Sequence, residues 1–219
     1  MLALLLDIDG TLMDTFDAIL EAMNLAIAPT GIPPLRAEEL RPLIGIPVQR
    51  QMKLLRDTVT PEAAAIADRY YREFHRLVDR GVRLYPGVRE TLEALRDRRI
   101  ATMSTRRRDE ARHMLGVAGI DRYFRAIVGG DEVARPKPDP DLPLHAARAL
   151  RATPAEAVVV GDAPVDIEAG RAAGTWTVAA MYGYGEHGAL RKAGPHAEIT
   201  SFSGLPAALA KIEAGLKGP

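Results

Sequence analysis

Short continuous apolar runs punctuate the chain, and most of them end in acidic, hydroxyl or glycine residues. Leu2–Leu6 runs into Asp7. Ile100–Ser104, Ala126–Val128, Ala157–Val160 and Thr175–Ala180 repeat the form, and Ala197–Ile199 is a weaker case. An uninterrupted apolar run suits a strand buried on both faces. Between the runs, apolar positions change to helical spacing: Val88, Leu92 and Leu95 mark one face, and Leu144, Ala147, Ala149 and Leu150 another. Strand alternating with helix predicts an α/β fold, a parallel sheet with helices on both faces.

One stretch breaks the alternation. Phe16, Ile19, Leu20, Met23 and Ile27 recur at helical spacing, as do Ile66, Tyr70, Phe74 and Leu77, with breaks at Gly31–Pro34 and Gly45–Pro47. No strand is expected there. The pattern predicts a discontinuous core, residues 1–14 and 82–219, interrupted by a helical insert at residues 15–81. The terminal Gly215–Pro219 is expected to fray.

Composition narrows the class. The 219 residues are 47% hydrophobic and carry 29 basic and 29 acidic side chains. That balance gives no global field to recruit nucleic acid or an anionic membrane. Cysteine is absent, which removes disulfides, thiolate metal sites and thiol nucleophiles and is compatible with a cytoplasmic protein. The opening apolar run is too short for a signal peptide, has no basic residue before it and ends in Asp7. No segment has the ~18 apolar residues of a membrane span.

Four clusters carry candidate chemistry. The first is Asp7-Ile8-Asp9-Gly10-Thr11, after the first run. Residues two apart on an extended segment point the same way, so Asp7 and Asp9 can face one ligand. Gly10 permits a tight turn, and the N–H groups after it can reach an anion. A carboxylate in this position can attack phosphorus while a second one moves a proton. Alone, the segment reads equally well as a calcium-type turn. The second cluster, Ser104-Thr105, offers a hydroxyl for phosphate or a plain helix cap. In the third, Arg135 to Pro140, prolines restrict the backbone around Lys137, which can balance a nucleophile's charge. The fourth, Gly161 to Asp166, brings Asp162 and Asp166 to another strand end. If these acids meet Asp7 and Asp9, their repulsion calls for a hard cation, and Mg²⁺ is the natural partner for phosphate chemistry.

Taken in order, Asp-x-Asp-Gly-Thr, a strand-end Ser, Lys between prolines and Gly-Asp-x-x-x-Asp resemble the haloacid dehalogenase-like superfamily. More narrowly, the chain resembles its phosphoglycolate phosphatase-like branch, and Tyr85-Pro86-Gly87-Val88, Val128-Gly129-Gly130-Asp131 and Asp166-Ile167 followed by Ala169-Gly170 also match. The resemblance implies a Rossmann-like core with an inserted α-helical cap. It implies Asp7 as nucleophile and metal ligand, and Asp9 as general acid/base whose backbone carbonyl also binds metal. Ser104 and Lys137 would hold the phosphoryl group, Asp162 would ligate Mg²⁺, and Asp166 would ligate it through water or support the site. Where relatives often carry Thr-Asn, this chain has Ser104-Thr105 followed by Arg106-Arg107-Arg108, read as a solvated helix face or as added positive potential.

Within that superfamily the second aspartate, Asp9, points to phosphoryl transfer rather than dehalogenation. Lys53, the insert's only lysine, has no context that suggests phosphonate cleavage. Gly45 lies between Ile44 and Ile46, and the first insert helix, Thr15–Ala28, has no histidine, which lowers a sugar-phosphate mutase reading. A non-catalytic binding protein is disfavoured by the presence of both Asp7 and Asp9. The expected substrate is a small phosphate monoester, phosphoglycolate-like or a sugar phosphate. Arg41, Gln49 and Arg50 beside Gly45–Pro47 are candidate readers of a substrate carboxylate or hydroxyl. The five histidines show no metal spacing. Trp176 is expected in the core and Tyr182 to Gly185 near the site mouth; oligomeric state is not legible.

Overall fold

In the computed structural model, which describes residues 1–58 and 60–216, a five-stranded parallel sheet forms the core. Its strands are β1 (Ala3–Leu6), β4 (Ile100–Thr102), β5 (Ala157–Gly161), β6 (Trp176–Ala180) and β7 (Ala197–Ile199), in the order β4-β1-β5-β6-β7. The apolar runs form strands because every residue of β1, β4 and β5 is buried. Side chains alternate between the faces. Leu4, Leu6, Val158 and Val160 enter the larger core, while Ala3, Leu5, Ala157 and Val159 face a second core.

The larger core is closed by α5 (Val88–Ala94), α6 (Arg108–Val117) and α10 (Leu205–Leu216) through Leu92, Met114, Leu115, Leu205 and Leu209. The opposite face is covered by α7 (Asp141–Ala149). Its buried side is Leu142, Ala146 and Ala147. Leu144 is only half-buried and Ala149 is exposed, so the predicted face of this helix was rotated. Gly215 lies in the last turn of α10; the tail beyond residue 216, where fraying was expected, is outside the described residues.

Ala126–Val128 does not become a strand. Ala126 makes a single bridge to Ala101, and then the Thr102 hydroxyl takes over both backbone groups of Val128, at 2.6 Å from its N–H and 2.9 Å from its carbonyl. A side chain that occupies those groups ends the ladder.

Helices α1 (Phe16–Ile27), α2 (Ala37–Leu40), α3 (Val48–Arg56) and α4 (Thr60–Val78) lie between two short strands, β2 (Met13–Asp14) and β3 (Arg83–Leu84). Those strands pair antiparallel, Met13 with Leu84 and Asp14 with Arg83, and an Arg83–Asp14 ion pair ties them. The two connections to the helical insert are thus zipped side by side. This ladder is too short to leave a periodic signal in the sequence. The remaining helices are α8 (Pro164–Ala172), after β5, and α9 (His187–Lys192), after β6. Among the described residues no helix is long and apolar enough to cross a membrane.

Candidate active site

Strand order places the acidic clusters together. β1 lies between β4 and β5, so the chain reverses its winding at β1, where open α/β sheets bind ligands beyond the carboxyl ends of their strands. Asp7 follows β1, and its N–H donates to the Val160 carbonyl of β5 at 3.0 Å. Asp162 follows β5, and Asp166 sits in the first turn of α8, where its Oδ2 accepts the Ala163 N–H at 2.9 Å. One oxygen each from Asp7, Asp162 and Asp166 lies within 4.8 Å of the others, and all three residues are buried.

Lys137 bridges two of them. Its Nζ donates to Asp7 Oδ1 at 2.9 Å and to Asp166 Oδ1 at 2.5 Å, and the residue is 5% exposed. Burial alone would lower the lysine's pKa, but the carboxylates of Asp166 and Asp7 outweigh burial and hold it above its ordinary value. One ammonium does not balance three buried carboxylates. Burial pushes Asp7 up to about 7; Lys137 opposes the rise, and Asp166 and Asp9 add to it. Burial, with repulsion from Asp166 and Asp7, also holds Asp162 well above the usual carboxylate range. An all-oxygen donor set short of positive charge fits a hard divalent cation.

The Gly10 turn holds Asp162 rather than an anion. The N–H groups of Gly10, Thr11 and Leu12 are taken by the carbonyls of Met13, Ile8 and Ile8, so they do not reach an anion as the sequence suggested. The Thr11 hydroxyl instead donates to Asp162 Oδ1 at 3.0 Å. Gly10 has φ +80°, and a Cβ there would meet Asp162 Oδ2 at 2.1 Å, so the close approach requires glycine. The Tyr184 N–H completes the grip on Asp162 Oδ2 at 2.7 Å.

The Asp9 carboxylate turns away from the other three. Arg106 grips it with a two-pronged fork, Nε to Oδ2 at 2.6 Å and Nη2 to Oδ1 at 2.9 Å, and the Thr15 hydroxyl donates to Oδ1. Arg106 is not part of a solvated face: it is buried, stacked 3.7 Å from the Phe74 ring centre, with Glu110 3.7 Å from its remaining nitrogen, Nη1. Burial alone would lower its pKa; Asp9, Tyr70 and Glu110 hold it well above the ordinary value.

Asp7, Asp9, Lys137, Asp162 and Asp166 line one cavity of about 370 Å³, together with Thr105 and the Tyr184–Glu186 loop. The insert closes it through Arg41 to Ile46, and the Arg41 guanidinium lies 4.0 Å from the Phe16 ring centre. Ser104 is buried beside β4, where its hydroxyl accepts the Arg106 N–H at 3.2 Å; it is not among the lining residues. Gln49 and Arg50 are exposed on α3 and do not line the cavity either, because α3 turns them outward; of the three candidate readers, Arg41 does. Thr15 was not singled out in the sequence; Arg106 was read there only within the Arg106–Arg108 run, and Tyr184 only as part of a loop near the site mouth, where the structure has it lining the cavity. Of the two readings of that run, added positive potential near the site is the one that fits Arg106, which bonds to Asp9.

A family model described as haloacid dehalogenase-like hydrolase matches residues 4–180. The chain is 35% identical over 213 residues to a phosphoglycolate phosphatase of Cupriavidus necator, covering 94% of this chain and 92% of that one. It is 32% identical over 179 residues to pyrophosphatase PpaX of Listeria monocytogenes, covering 80% of each. Among solved structures, a CbbY variant from Rhodobacter sphaeroides in complex with xylulose-(1,5)bisphosphate superposes with TM-score 0.85 at 26% identity, covering 95% of this chain and 99% of that one.

Proposed function

The chain belongs to the haloacid dehalogenase-like hydrolase family, on its phosphatase side, and we propose that it hydrolyses a small phosphate monoester through an aspartyl-phosphate on Asp7. The observation that carries this reading is the convergence of Asp7, Asp162 and Asp166 at adjacent strand ends, with Lys137 bonded to the nucleophile. In the first step an Asp7 carboxylate oxygen attacks phosphorus. The bond from phosphorus to the ester oxygen breaks, and that oxygen takes a proton from Asp9 as it leaves. In the second step Asp9 takes a proton from water as its oxygen attacks phosphorus. The Asp7 carboxylate is restored and inorganic phosphate departs.

Lys137 and the Ser104–Thr105 segment are the phosphoryl-binding groups of this reading, and positioning with charge neutralisation supplies most of the rate. Asp7, Asp162, Asp166 and the Asp9 backbone carbonyl would hold Mg²⁺. The ion, when bound, would offset the charge that develops on the phosphoryl oxygens. Residues 15–81 act as a cap that covers the site, with the β2–β3 pair as its connection to the core.

A cavity of about 370 Å³ suits a small metabolite. Arg41, at its mouth, is the group placed to read a second anionic end, as in a phosphoglycolate-like or sugar phosphate substrate. The test is release of phosphate from an aryl phosphate and from a panel of phosphorylated metabolites and pyrophosphate, with and without Mg²⁺. The reading predicts Mg²⁺-dependent turnover that is lost in Asp7→Asn. Turnover that persists in Asp7→Asn, or isomerised sugar phosphate in place of free phosphate, would overturn it.

A further inference from the structure

A second set of metal-ligating side chains converges away from the cavity, where α4 of the insert meets α6 of the core. His75 and Asp79 are one helical turn apart: the Asp79 N–H donates to the His75 carbonyl at 3.0 Å, so both side chains project from one face. His113 reaches them from α6. One donor atom from each of the three lies within 4.8 Å of the other two. The His75 and His113 rings stack with centres 3.9 Å apart and planes 16° from parallel, so their in-plane lone pairs do not converge as they stand, and the exposed His75 ring would turn to share an ion with His113. Histidines that show no metal spacing along the chain are therefore brought together in space. The sequence carried half of the signal, the i, i+4 pair of His75 and Asp79.

The His113 nitrogen gives this cluster its character. Nε2 is buried and lies 2.9 Å from Asp79 Oδ1, yet it makes no hydrogen bond among the described residues. A buried ring nitrogen without a hydrogen bond, facing a carboxylate and a second imidazole, is an arrangement that a cation completes.

We propose that His75, Asp79 and His113 bind one divalent transition cation of the zinc class. Two imidazole nitrogens and one carboxylate oxygen suit such an ion, whereas Mg²⁺ favours the all-oxygen set around Asp7. Three protein ligands leave a fourth position for water. His75 also lines a cleft of about 610 Å³ between α4 and the start of α6, which gives the ion a path from solvent. Because two ligands belong to the insert and one to the core, the bound ion would pin α4 to α6.

The test is equilibrium dialysis of the full chain against Zn²⁺, with millimolar Mg²⁺ present to occupy the acidic site. Binding of one equivalent is expected in the native protein and in Asp7→Asn. His75→Asn and His113→Asn should each weaken it by about tenfold or more. Asp79 is exposed, so Asp79→Asn should leave the fold intact and serves the same purpose if a histidine variant unfolds. Co²⁺ in place of Zn²⁺ should give a visible absorption band that disappears in the same variants. No stoichiometric Zn²⁺ binding, or binding lost in Asp7→Asn and unchanged in the histidine and Asp79 variants, would overturn the proposal.

Discussion

Arg106 clamps the carboxylate of Asp9 across 97 residues of sequence, with both prongs of its guanidinium engaged at 2.6 and 2.9 Å. The partner that holds the proposed acid/base is thus the third residue of the Ser104-Thr105-Arg106 segment. On the far side, Glu110 approaches Arg106 at 3.7 Å, and neither of its oxygens has a hydrogen-bond partner among the described residues. Glu110 is placed to share with Asp9 the compensation of the Arg106 charge.

Arg106→Met is therefore expected to act on both stability and rate. Removing one member of a buried charge group strands the others, at a typical cost of about 3–5 kcal/mol, and the midpoint of urea unfolding should fall accordingly. With Asp9 no longer oriented, kcat should drop by roughly 10–100-fold. Mg²⁺ binding should be little changed, because Asp7, Asp162 and Asp166 do not contact Arg106. Arg106→Lys keeps the charge but not the fork, so it should fall between the two. Steady-state kinetics with Mg²⁺ titration separates these effects; weakened Mg²⁺ binding with unchanged kcat would contradict them.

Asp9→Asn removes proton transfer while leaving the backbone carbonyl in place. Mg²⁺ affinity should be retained and turnover should fall by about 10²–10⁴-fold. Isothermal titration with Mg²⁺ alongside the phosphate-release assay measures both, and near-native turnover would refute the acid/base role.

How much of this site was legible depends on how local each signal is. Asp7 and Asp162 stood out because a run of buried residues ends at each, and strand-end position is a local property. The role of Arg106 was not legible. What buries it is Tyr70 and Phe74 of α4, which reach it only after the insert folds back onto the core. Arg41 and Arg50 looked alike for the same reason: the sequence shows that both flank the Gly45 loop, but not which side of each helix faces the cavity. Ala126–Val128 has the composition of a strand, and the side chain of Thr102 decides against it.

Gly183 packs where a side chain cannot fit. A Cβ at this position would meet Asp162 Cβ at 2.3 Å and the Gly10 carbonyl at 2.4 Å. Gly183→Ala should displace Asp162 and raise the Mg²⁺ concentration needed for half-maximal activity by about tenfold or more, with less effect on the thermal midpoint than on metal dependence. A Mg²⁺ dependence identical to that of the native protein would show that Asp162 is not held by this contact.

Stability at low pH should report Glu213. Its side chain accepts the Leu2 N–H at 2.7 Å and both prongs of Arg98 at 2.7 and 3.1 Å, tying α10 to the start of β1. The Arg98 hydrogen bonds chiefly, with Leu2, lower its pKa from 4.5 to about 2. A depressed carboxylate contributes stability that is complete above its unfolded pKa and is lost as pH falls through the folded one. The gap in thermal midpoint between the native protein and Glu213→Gln should therefore be constant above pH ~5 and close between pH ~4.5 and ~2. A gap that widens on acidification would contradict the sign.

The central claim is that Asp7 carries the phosphoryl group. The direct measurement is mass spectrometry of protein quenched in acid during turnover, then treated with borohydride, which reduces an acyl phosphate on aspartate to homoserine. The mechanism predicts homoserine in the peptide containing Asp7, dependent on substrate and Mg²⁺ and absent from Asp7→Asn. Steady turnover with no such product, or with the label on another residue, would contradict it.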